Sequence, residues 1–111
     1  MDVASFTRSL VKAFSDLPFA EDVDLRTEAF VVKGRVHLRE ERFVQIYFNE
    51  RTGTIAFALI EEGRRVWGMD HDALRGWHEH PLSAPETHRN VKAKTVAEIV
   101  QALQEVWGEL P

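Results

Sequence analysis

Val3, Phe6, Leu10, Phe14 and Leu17 recur at spacings of three and four, while Arg8, Lys12 and Asp16 fall between them. This period predicts a helix over residues 2–17, capped by the Asp2 carboxylate and stopped by Pro18. From Glu21 the period drops to two: Val23 and Leu25 alternate with acids and Arg26, then Phe30, Val32, Gly34, Val36 and Leu38 alternate with Val31, Lys33, Arg35 and His37. The apolar parity flips between Leu25 and Phe30, so a turn or bulge is expected around 27–29. Turn formers at 39–41, 49–53 and 61–63 separate further strands over 43–48, 54–60 and 64–69. Near the end, Thr95 and Glu98 have capping-box spacing, and Val96, Ile99, Val100, Leu103, Val106, Trp107 and Leu110 line one side of a helix closed by Gly108 and Pro111.

The expected architecture is a single α+β domain over residues 1–111. It has an N-terminal helix, an antiparallel meander of about five strands, a long His-rich loop and a C-terminal helix, in two layers. A chain of 111 residues buries a core without staples. It contains no cysteine, so disulfides and thiolate chemistry are excluded, and any metal would be held by His, Asp or Glu. No apolar run approaches the about 20 residues of a membrane span, and the first residues lack a basic leader. No membrane partner and a cytoplasmic location are the resulting expectations.

The net charge of −4 argues against a general polyanion binder, but the charge is uneven. Residues 63–94 hold six Lys and Arg against four Asp and Glu, the only net-positive part of the chain. Within it lie His71, His78, His80 and His88, four of the five histidines, with Trp67 and Trp77. Segments this long without regular structure are commonly functional.

The tightest constellation is His78-Glu79-His80-Pro81. In extended backbone, residues two apart share a side, and the proline favours that conformation for His80. Three readings stay open. The imidazoles of a lone His-x-His more often simply pack and hydrogen-bond. They can hold zinc or another divalent ion if Asp70, Asp72, His71 or His88 supplies a third ligand. Without a cofactor, His78 and His80 can act as general base and general acid on an RNA phosphodiester, with His71 or His88 as a third member and Arg75 and Arg89 as phosphate contacts. Asp70 can orient an imidazole or merely form a turn. Trp77 is either a core anchor or a stacking platform beside the pair, while Trp67 and Trp107 read as core and His37 as a residue of the outer sheet face.

The order of elements, the strands at 43–60 and 63–70, and the His-x-His-Pro element before a final helix resemble the TumE-like family of toxin components of prokaryotic toxin–antitoxin systems. The resemblance runs from the first strand to the C-terminus, with His71 following Asp70 where relatives carry Asn. It implies a toxin partnered by an antitoxin from a neighbouring gene, with RNA cleavage as its activity, and it carries over to His78, His80 and Asp70. The other reading is a non-catalytic interaction domain or homodimer whose His-rich face is the interface.

Overall fold

The computed structural model describes residues 1–111. Helix α1 (Val3–Ser15) leads into seven strands, β1 (Ala20–Glu28), β2 (Val31–Leu38), β3 (Phe43–Asn49), β4 (Thr54–Glu61), β5 (Arg64–Asp72), β6 (Gly76–His80) and β7 (Arg89–Asn90), and helix α2 (Val96–Glu109) closes the chain. Every strand pairs antiparallel with its successor, so the sheet order is the chain order. The α+β layering anticipated from periodicity is present, with a longer meander than the apolar pattern alone suggests. The His-rich segment is not one irregular loop: β5 continues through Asp72, turns, and returns as β6.

The helix caps follow the sequence signals. Asp2 accepts a hydrogen bond from the Ser5 amide at 2.7 Å, and Thr95 and Glu98 form a reciprocal capping box. The backbone hydrogen bonds also hold the Asp2 carboxyl below the ordinary aspartate range.

Both helices lie on one face of the sheet and share its core. Phe6, Leu10 and Phe14 of α1 meet Val36, Ile46, Phe57 and Trp67 from the strands and Ile99 and Leu103 from α2. The Phe6 ring stacks on Phe48 at 4.3 Å, and Phe19 stacks on Trp107 at 4.1 Å. Arg42, buried at the start of β3, lies over the Trp107 ring, pairs with Glu61 and donates to the Pro111 carbonyl at 3.2 Å. It therefore ties the end of α2 to the sheet. Arg42→Ala is expected to lose about 2 kcal/mol in urea melts, because the partly buried Glu61 carboxylate loses its charged donor.

Period two sends alternate residues to the other face, which no helix covers. There the register aligns one row of Arg26, Lys33, Tyr47, Ala56, Asp70 and His78 across six strands. A parallel row beside it runs through Asp24, Arg35, Gln45, Ala58, Gly68 and His80. Gly34 allows β1 to close onto β2. At its φ of +154°, a Cβ would sit 2.1 Å from the Asp24 carbonyl oxygen. Gly34→Ala is expected to lose about 2 kcal/mol or more and to loosen β1 first, as hydrogen exchange would show.

Candidate metal centre

The β5–β6 hairpin builds the site. Asp72 at its corner accepts hydrogen bonds from the amides of Leu74 (2.9 Å) and Arg75 (2.7 Å), and Gly76 takes the positive φ that returns the chain. These amides, that of Arg75 foremost, hold the Asp72 carboxyl below its ordinary range. The carboxylate is thus committed to the turn.

Alternation along β6 then divides His78-Glu79-His80. Glu79 points to the helix face, where the buried Trp67 indole donates to its Oε2 at 2.8 Å and Arg89 of β7 pairs with its Oε1. His78 and His80 point to the other face, opposite Asp70 and Gly68 respectively. Chain beyond β6 folds back over them through tight turns, with Thr87 N–H donating to the Ala84 carbonyl, and brings His88 alongside. His78 and His80 are left only 3% and 2% exposed, although no helix lies on that face.

The hydrogen bonds of the two rings follow one plan. Nδ1 of His80 lies 3.0 Å from the Pro85 carbonyl oxygen, and Nδ1 of His78 lies 3.1 Å from that of Gly76. A carbonyl only accepts, so both Nδ1 atoms carry the proton. Both Nε2 atoms turn inward to one carboxylate oxygen: Asp70 Oδ2 is 3.1 Å from Nε2 of His80 and 3.5 Å from Nε2 of His78. An ionised carboxylate also only accepts. The three inward atoms therefore require positive charge among them, supplied by protons or by a metal ion.

The two distances to Asp70 match those between ligands of one metal ion. Tetrahedral zinc with bonds of about 2.0 Å separates neighbouring ligand atoms by about 3.3 Å, and the two Asp70 distances bracket that value. Backbone carbonyls on the outer ring nitrogens are the usual supports of metal-bound histidines. Nitrogens of His78, His80 and His88 also lie within 4.8 Å of one another. His88 is exposed at the rim. Partial desolvation, followed by the positive charge of Arg75 and of the neighbouring imidazoles, pushes its pKa down. Its ring keeps a free lone pair to lower pH than an isolated imidazole.

The structure sorts the residues singled out in the sequence. Asp70, His78, His80 and His88 come together. His71 does not join them: it lies on the helix-side face opposite Trp77, with Nδ1 2.8 Å from the Gly53 carbonyl oxygen. Trp77 packs against the core beside His71, an anchor and not a stacking platform. Arg89 pairs with Glu79 on the opposite side of the sheet from the cluster. Arg75 is exposed at the hairpin corner. Asp70 is no turn former, being inside β5 and paired with His78.

Glu79 and Gly68 carry weight that the sequence did not reveal. Glu79 anchors the strand that aims both histidines. A Cβ at Gly68 would crowd the Phe57 carbonyl oxygen at 3.1 Å and the Arg65 side chain at 3.3 Å and would touch the His80 ring at an ordinary 3.5 Å, so glycine relieves the packing beside His80. The position of Glu79 between two histidines, on the opposite side of an extended backbone, was the available signal for it; Gly68 had none. Comparison of the chain with family models, curated proteins and solved structures finds no match.

Proposed function

We propose that this protein is a metal-dependent hydrolase of the zinc type, with His78, His80 and Asp70 as ligands and His88 at the open rim of the site. The observation that carries the reading is the convergence of two buried Nε2 atoms on one Asp70 oxygen, with both Nδ1 atoms held by backbone carbonyls. Three protein ligands and one accessible position is the composition of catalytic zinc sites, in which the ion lowers the pKa of a bound water to about 7. His88, exposed and neutral, is placed to accept or relay the proton of that water. Metal-free general acid–base work by His78 and His80 fits less well, because a phosphate approaching their inner nitrogens meets the Asp70 carboxylate.

Metal analysis of untagged protein after equilibration with zinc is expected to find one ion per chain, lost in His80→Ala and in Asp70→Asn. Circular dichroism of both variants separates loss of ligand from loss of fold. Zinc content unchanged in both variants, or no zinc in the wild type, overturns the assignment. Hydrolysis of a chromogenic phosphodiester is expected to stop with chelator and resume with zinc; activity indifferent to chelator would return the chemistry to the histidines alone. The toxin role implied by the sequence resemblance adds a cellular expectation. Induced expression arrests growth in a host lacking the neighbouring gene, and Asp70→Asn relieves the arrest.

A further inference from the structure

The same helix-free face carries a second feature, a trough of about 810 Å³ over β1 to β4. Its outer end presents Arg26, Lys33 and Arg35 against two carboxylates, Asp24 in the trough and Glu28, which pairs with Lys33 at 3.6 Å, while the Arg35 guanidinium lies over the Phe43 ring. Its middle presents Tyr47, 36% exposed and aligned with Lys33 on one side and Ala56 on the other. Beyond Tyr47 the floor is low at Ala56 and Ala58 of β4; the next strand continues the two rows with Gly68, buried beneath the Arg65 side chain, and with Asp70, beside His80 and His78.

Alanine and glycine are poor strand residues, and here they occupy the middle of a sheet. The core does not ask for them, since the neighbouring Phe57, Leu59, Trp67 and Met69 fill the helix side. Their effect on the open face is a low floor that extends the trough from the cations toward the side of the histidine cluster. With strands about 4.8 Å apart, the three spacings from β2 to β5 put Lys33 about 14 Å from Asp70. No single phosphate touches both ends. A ligand that does is extended and carries repeated negative charge.

We propose that this face binds a single-stranded nucleic acid, with its phosphates along Arg26, Lys33 and Arg35, a base on Tyr47, and the chain crossing Ala56 and Ala58 to reach the histidine cluster. An aromatic ring within a cationic groove on a sheet is the general design for single strands, because every base offers a stacking face whatever its sequence. The inference names the substrate of the proposed hydrolase and rests on that reading for its catalytic end. Binding at the cationic end is measured without it.

The test is fluorescence anisotropy with labelled oligonucleotides of one sequence: 2′-O-methyl RNA, which resists 2′-hydroxyl attack, DNA, and the corresponding duplex, each with zinc-loaded and zinc-free protein. Three phosphate contacts to a single strand predict an affinity about eighteen-fold weaker at 200 mM than at 50 mM salt. The Arg26→Ala, Lys33→Ala, Arg35→Ala triple variant is expected to lose most of that dependence, and Ala58→Phe, which fills the floor, to weaken binding at least about tenfold. Zinc content stays unchanged in both. Comparable RNA and DNA affinity, or a preference for RNA, supports the proposal. Preference for the duplex, wild-type binding by both variants, or no binding by the wild type overturns it. So does concentration-dependent dimerisation through this face without oligonucleotide binding, seen in sedimentation. Zinc content in the same preparations shows separately whether the metal reading has failed.

Discussion

Zinc is expected to raise the thermal midpoint of the purified protein by about 15 °C, and excess chelator to reverse the rise. An ion bound only by the folded state, present at about a thousandfold over its dissociation constant, stabilises by about 4 kcal/mol. For a domain of this size each kcal/mol moves the midpoint by about 4 °C. The physical source is local. With neither a metal ion nor an added proton, the inward nitrogens of His78 and His80 set lone pairs against the Asp70 carboxylate, and a bound ion relieves that repulsion. Asp70→Asn is expected to abolish the zinc-dependent rise while leaving the metal-free midpoint little changed, because the amide can donate to one of the nitrogens. Scanning calorimetry with and without zinc decides the matter, and coincident curves for the wild type would remove the metal centre.

Trp67→Ala has the largest effect expected on stability alone, a loss of about 4 kcal/mol or more. Its ring is fully buried between the helices and the sheet, and removing it leaves a cavity. It also takes away the indole donor of Glu79, leaving Oε2 without a partner while Arg89 holds only Oε1. Trp67→Phe separates the two effects: most of the volume stays while the hydrogen bond goes, and the expected loss is about 2 kcal/mol. Because Glu79 stands between His78 and His80, both variants should weaken zinc binding even where the chain remains folded. A Trp67→Phe protein with wild-type stability and zinc affinity would show that the Glu79 anchor does not position the site.

Much of this was legible in the chain. Residues 2–17 and 95–111 announced helices because their apolar positions repeat at the helical period and their first residues supply caps, and both caps are present. Strands β2 to β5 announced themselves by alternation and by turn residues, including the parity change that falls at the positive-φ Ala29. Strand β6 was hidden because Trp77, His78, Glu79 and His80 lack apolar alternation. What makes them a strand is pairing with β5, Trp67 reaching Glu79 from one side and Asp70 reaching both histidines on the other.

Sequence by itself determined the helix–meander–helix order, the absence of thiol chemistry, and the nomination of Asp70, His78, His80 and His88. The shared side of His78 and His80 followed from a period of two and needed no coordinates. Tertiary structure decided which of the nominated residues meet, because facing across a sheet depends on register and on the fold-back of residues 81–88, and neither leaves a mark on local pattern. By the same register His71, Trp77 and Arg89 went to the helix side or to other partners, and a row of cations, a tyrosine and two alanines came into line with the histidines. Residues far apart in the chain became one surface only when seven strands were laid side by side.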